Sequence, residues 1–224
     1  MGDAFGQVVP LAIGVAVSPI PIIAVILMLF SQRARVNGPA FLVGWVVGLT
    51  LVSGIALALS TAAGASSGTP STIASLLKLA LGTLLVLIGI RQWQSRPKPG
   101  APPKPPPKWM ATIDSLAPGK ALGLGLLLSA VNPKNLTLAI AAGLTIGQAG
   151  LDTSSAILLS ILFVTLGSLS ILVPVLYSLF GGEGARTRLD GLKTWLGENN
   201  STVMAVLLFV IGVVLGAKGL GGLF

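Results

Sequence analysis

Val131-Asn132-Pro133-Lys134-Asn135-Leu136 interrupts an apolar stretch running from about residue 119 to 147. A proline inside a helix removes a hydrogen-bond donor and crowds the preceding turn, and a lysine at the bilayer centre costs about 3 kcal/mol on insertion scales. A similar interruption occurs 114 residues earlier, where Val17-Ser18-Pro19-Ile20-Pro21-Ile22 lies in the middle of an apolar stretch over residues 7–30. Two apolar segments broken at the same depth point to a membrane protein in two halves, each opening with a broken helix.

The whole chain agrees with that reading. Of its 224 residues 53% are hydrophobic and only 9% charged, and its mean hydropathy is +0.93. A soluble domain carries roughly a quarter charged residues. Apolar stretches predict six spans, at about 7–30, 38–62, 72–91, 119–147, 153–180 and 201–221. The first is read as a retained helix, because no Lys or Arg precedes it and its apolar run is long for a secretory signal. The expected fold class is therefore all-α: a polytopic membrane protein with six transmembrane helices forming two inverted three-helix repeats, helices 1 and 4 being broken. An odd number of helices per half reverses the second half in the membrane, which brings the two breaks together near the bilayer centre.

Charge placement orients the chain. Arg33 and Arg35, then Arg91, Arg96, Lys98, Lys104, Lys108 and Lys120, then Arg186, Arg188 and Lys193 fall in three alternate loops, eleven basic residues against Lys218 alone on the other side. The positive-inside rule puts those loops in the cytoplasm and both termini outside, in the cytoplasmic membrane of the cell. The formal net charge of +8 thus reflects topology and calls for no nucleic acid. Residues 96–118 form a basic, proline-rich linker of extended or polyproline II character, suited to anionic membrane lipids, between repeats at 1–95 and 119–224. Trp109, Ile113 and Leu116, and Leu189, Leu192 and Leu196 beside Trp195, recur at helical spacing and predict two short interfacial helices.

Several chemistries are unsupported. The chain has no Cys and no His, so thiolate or imidazole metal ligands and a histidine proton relay are missing. No Ser-His-Asp or paired-carboxylate constellation and no Gly-x-x-x-x-Gly-Lys segment occurs. An enzyme is not expected, nor any catalytic residue, metal site or cofactor.

Lys134 is the most informative residue. The carboxylates Asp3, Asp114, Asp152, Glu183, Asp190 and Glu198 all fall in predicted loops or termini, so none answers it at mid-membrane depth. Three solutions are open: deprotonation through burial, solvation by the carbonyls of broken helices and water, or pairing with an anion that comes and goes. Lys78, about six residues into its span, can reach the outer interface by snorkelling. Hydroxyls within spans, such as Thr50, Ser53 and Ser170, usually bond their own helix; Thr165 and Ser168, a turn and a half before Pro174, are the candidate exceptions. Gly44 with Gly48, and Gly82 with Gly89, predict close helix packing, and such small-residue faces lead us to expect a homodimer.

On these residues the chain resembles the lysine exporter (LysE) superfamily, and within it the GAP family of actinobacterial glycolipid-addressing proteins. The resemblance covers most of the chain and rests on six spans in two halves, Ser18 to Pro21, Asn132 to Asn135, and the basic loop between halves. It implies export from the cytoplasmic membrane, of amino acids in the lysine-exporter branch and of envelope lipids or glycolipids in the GAP branch. A membrane lysine without a carboxylate suits an anionic head group better than a cationic substrate. The expected function is a secondary exporter or flippase for an anionic lipid or glycolipid, with Ser18, Pro19, Pro21, Asn132, Pro133, Lys134, Asn135, Thr165 and Ser168 binding the substrate. An amino-acid exporter, or a non-transporting scaffold docked through the proline-rich loop, are the alternatives.

Overall fold

A computed structural model describes residues 2–62, 72–96, 113 and 116–223 of the protein. These residues form α1 (Gly2–Ala16), α2 (Pro19–Phe30), α3 (Ala34–Ala62), α4 (Thr72–Gln94), α5 (Pro118–Ala130), α6 (Pro133–Gln148), α7 (Thr153–Phe180) and α8 (Gly182–Gly221), with no strand among them. Four helices, α3, α4, α7 and α8, are individually long and apolar enough to cross a membrane. The pairs α1–α2 and α5–α6 pass the same test only when joined, across bends of 50° and 64°, so the described residues hold four candidate spans, or up to six if each bent pair is one span. The two bends fall at Ser18-Pro19 and Asn132-Pro133, where the sequence places the breaks.

The short second members of the bent pairs form the interior. Along α2, Pro19, Pro21 and nearly every residue from Ile22 to Leu29 are buried, and α6 is buried almost throughout from Lys134 to Gln148. The four long helices surround them, with about a third of each apolar window buried and the rest facing outward. That outward apolar surface is what a hydrocarbon environment accommodates. It makes this a multi-pass membrane protein.

Helix pairing interlocks the halves. The middle helix of the first half, α3, packs on α5 and α6 of the second, while α7 packs on α1 and α2, and α4 lies along α8. Exchanging α1–α4 with α5–α8 maps α3·α5 onto α7·α1, α3·α6 onto α7·α2, α2·α8 onto α6·α4 and α2·α3 onto α6·α7, and every one of these pairs is in contact. The exchange is incomplete, since α1·α6, α1·α8, α5·α6 and α7·α8 have no comparable counterparts. Glycines set the close approaches: a Cβ at Gly44 or Gly125 would run into the backbone of the facing helix in the α3–α5 pair, and one at Gly82 would lie 2.5 Å from the Gly216 nitrogen in the α4–α8 pair. Such small-residue seams are how helices associate where lipid offers no hydrophobic drive.

Contacts gather the basic segments at one end. Arg186 and Lys193 sit over the Phe30 ring at 5.1 and 5.5 Å, Gln92 bonds Ser201 at 3.3 Å, and Asn37 donates to the Leu116 carbonyl at 3.0 Å. Exposed Trp93, with the Arg96 guanidinium 3.6 Å from its ring centre, and exposed Trp195 lie at that end as well. Lys78 and Lys218 lie at the opposite end with the start of α1.

One expectation is corrected. Leu189, Leu192 and Leu196 do not form a separate interfacial helix, since α8 runs unbroken for 40 residues. At 1.5 Å per residue it is about 60 Å long, twice the hydrocarbon thickness. Nothing between the two predicted segments breaks it, because Gly197 costs only about 1 kcal/mol in a helix and Asn199 turns its amide back onto the Trp195 carbonyl at 2.9 Å. Leu189 and Leu196 are buried and Leu192 and Trp195 exposed. Of the other predicted interfacial helix, Trp109 lies outside the described residues, as does most of the linker at 96–118, while Ile113 is buried.

The glycine seams give a direct test. Gly125→Val and Gly82→Val should each destabilise the protein by about 1–3 kcal/mol, as overpacking does, and lower the unfolding midpoint in detergent. Gly54→Ala, whose added Cβ meets nothing within 4 Å, should leave it unchanged. Equal midpoints for all three variants would contradict the packing of α3 on α5 and of α4 on α8.

Candidate functional site

The break between α1 and α2 follows from its prolines. In a continuous helix the amide at position 19 would bond the Val15 carbonyl and that at position 21 the Val17 carbonyl; Pro19 and Pro21 have no N–H to give. Ser18 N bonds Ala16 O at 2.9 Å instead of reaching back to Gly14, so the Gly14 carbonyl is freed as well. Three carbonyls are thus left without helical partners in a buried place, where an unmade bond costs about 1–3 kcal/mol.

Each finds a partner. The Ser18 hydroxyl donates to Val15 O at 2.6 Å. Lys134 Nζ, from α6, donates to Gly14 O at 2.7 Å, to Val17 O at 2.8 Å and to Ser18 Oγ at 2.6 Å. An ammonium has three protons, and all three are used. Lys134 is 3% exposed, and its charge faces the C-terminal end of α1, where the helix dipole favours a cation. Of the three ways to accommodate this lysine, the described conformation takes the second, solvation by the carbonyls of the other broken helix.

The second break holds Lys134 in place. Pro133 opens α6, and Asn132 caps it by accepting from the Lys134 backbone N–H at 3.1 Å. Asn135, fully buried, donates its amide to Leu128 O of α5 at 2.9 Å and places Oδ1 3.1 Å from Ser18 Oγ. The Ser18 proton lies closer to Val15 O, so Asn135 Oδ1 is its secondary acceptor. Ser18, Pro19, Pro21, Asn132, Lys134 and Asn135 therefore form one junction, and Pro133, though exposed, sets its geometry.

Two expected site residues behave differently. Thr165 is exposed on α7, and no hydrogen bond ties it to the junction. Ser168 is 4% exposed with its hydroxyl unpartnered, beside Gly167, which packs against Val15 of α1. The sequence could not single out the carbonyls of Gly14 and Val17, since any residue type supplies one; only the spacing of Pro21 from Val17 hints at the second.

Lys78 is 8% exposed and turns into a cavity lined by protein instead of meeting lipid. Neither this cavity nor an apolar groove between α3, α4 and α6 touches the junction. Among the described residues no cluster of three His, Cys, Asp or Glu could hold a metal, and the one ion pair is Lys193 with Asp190.

Comparison with curated proteins and with solved structures yields no match. Residues 8–221 match the family model described as Sap, sulfolipid-1-addressing protein. That match takes in both broken helix pairs and all four long helices, and is consistent with a glycolipid-addressing membrane protein. The chain belongs to the Sap, sulfolipid-1-addressing protein family.

Proposed function

We propose that this protein moves an anionic lipid or glycolipid of the cell envelope across the cytoplasmic membrane, as a secondary exporter or flippase working by alternating access, with both termini outside. The observation that carries the reading is the Lys134 bridge, a buried cation held by neutral carbonyls at the meeting of two broken helices. Membership of a family named for addressing a sulfolipid supports the substrate class.

The cycle rests on an exchange of partners. In the described conformation the ammonium sits on α1; in the loading conformation it turns to the oxyanion of a head group, while the freed Gly14 and Val17 carbonyls accept substrate hydroxyls. Each state then satisfies the same groups, and the substrate shifts the balance because it binds one state only. The pairing that survives exchange of α1–α4 with α5–α8 supports an inverted repeat of two three-span units. Because α3 packs on α5 and α6 while α7 packs on α1 and α2, the moving bodies each combine a broken pair with the other half's middle helix. Lys134 spans them.

Reconstitution in liposomes with labelled anionic and zwitterionic lipids tests this directly. Lys134→Ala should lower transport of the anionic substrate at least tenfold, and normal transport with unchanged head-group selectivity would refute the site. Lys134→Met should also reduce stability by about 1–3 kcal/mol for each carbonyl left unpaired, read as a lower unfolding midpoint. Deleting residues 97–107 should leave transport in place, whereas a scaffold would fail without them.

Sidedness has a separate test, since the chain has no native thiol. Gly221→Cys should react with a membrane-impermeant thiol reagent on intact cells, and Gly191→Cys only after lysis. Both positions leave room for a side chain, with nothing within 4 Å of an added Cβ. The opposite pattern would invert the orientation.

A further inference from the structure

At the end of the molecule away from the basic loops, the first turns of α1 and α4 meet the last turns of α6 and α8 around a polar cavity of about 470 Å³. We propose that this cavity is an oxyanion-binding site for the charged head group of an amphiphile. It is distinct from the Lys134 junction, and binding there requires no transport.

The groups around it are those an anion with hydroxyls would use. Lys78 and Gln148 line the cavity and are each 8% exposed. Among the described residues no hydrogen bond or ion pair engages the Lys78 ammonium, which opens on the cavity, and both side-chain polar atoms of Gln148 are buried without a partner. Lys218 supplies a second cation, and Thr145 a hydroxyl. The Ser75 hydroxyl is already committed to Gly222 O at 3.2 Å. Asp3 also lines the cavity, but it is exposed and forms no ion pair with either lysine, so two ammonium groups face one carboxylate.

Lys134 and Lys78 differ in their partners. A buried ammonium without partners is costly, and Lys134 escapes that cost through three bonds within the protein. Lys78 has none. An oxyanion between Lys78 and Lys218, with the Gln148 amide donating N–H and accepting a ligand hydroxyl, would complete every one of these groups.

An apolar groove of about 430 Å³ on the other flank of the α4–α6 contact makes a lipid the source of that anion. Neighbouring residues divide between the two spaces: Ala74, Leu77 and Leu144 line the groove, while Ser75, Lys78 and Thr145 line the cavity. A head group in the cavity therefore lies one residue along α4 and α6 from apolar surface that an acyl chain could cover.

Ala149→Cys introduces a single thiol at the cavity wall of a chain that has none. In phosphatidylcholine nanodiscs its reaction with a small methanethiosulfonate would be timed with decyl sulfate, decyl maltoside or inorganic sulfate present. Decyl sulfate should slow labelling at least tenfold, decyl maltoside should not, and Lys78→Gln with Lys218→Gln should abolish the protection. Protection by inorganic sulfate only at far higher concentration identifies the ligand as a lipid; protection at equal concentration identifies it as a free anion, and either result carries the oxyanion site. Equal protection by the maltoside, no protection at all, or protection that survives loss of both lysines would overturn it. Should the double variant not fold, Lys218→Gln alone, on an exposed side chain, should weaken protection several-fold.

Discussion

Three hydrogen bonds from Lys134 to the frayed end of α1 decide much of this structure. Pro19 and Pro21 strip the Val15 and Val17 carbonyls of helical partners, and the turn made by Ser18 strips Gly14. In a bilayer no water is at hand to repair such losses. The ammonium from α6 and the Ser18 hydroxyl make the repair, and in doing so they bind the first break to the second. The lysine needs the carbonyls as much as they need it, because no carboxylate pairs with it. Each defect would be costly alone, and together they close.

That mutual dependence explains why α2 and α6 occupy the interior. A helix that begins at a break leaves backbone and capping groups at mid-depth, and these are tolerated only where protein surrounds them. The long helices α3 and α7 provide the enclosure, each for the broken pair of the other half. Glycine makes it close enough. Gly125 brings α5 against α3 at Phe41, and Gly143 brings α6 against α3 at Ser53, so a single unbroken helix covers both sides of the 64° bend. Among the pairings without a counterpart under exchange of the halves, α1·α6 is the one made by Lys134. At the position equivalent to Lys134 the first half carries Ile20, which has no ammonium to offer the other break.

How far the sequence foretold this depended on the range of the interaction. The apolar helical stretches were legible, most of them to within a few residues, because hydropathy is a local property and the apolar runs are long. The breaks were legible because proline acts on its own helix. The partners of Lys134 were not: the sequence left three solutions open, and choosing among them required knowing that the end of α1 lies beside the start of α6. The continuity of α8 was missed for the opposite reason, since a polar stretch such as 197–201 reads as a loop when the helix merely leaves the apolar layer. Thr165 was selected for its residue type, but its side chain falls on the outward face of α7, and on a long span the facing of a single hydroxyl is set by packing that hydropathy does not encode. Gln148 gave no signal beforehand, because an amide near the end of a span is ordinary until its buried atoms prove to have no partner.

The two span lysines then stand in different physical situations despite similar cost on an insertion scale. Lys134 is closed on all three protons and enclosed by two breaks, so any role in binding requires it to leave partners it already has, and its occupancy is tied to a change of conformation. Lys78 has no such bonds to give up and opens on a cavity that already exists. A ligand can meet it without rearrangement of the helices. A substrate that reached the junction by displacing the α1 carbonyls would lose that contact when they returned to Lys134, and an anion so released needs another cation ahead of it. Lys78 and Lys218 lie at the end opposite the basic loops, on the path that the proposed transport would take toward that end.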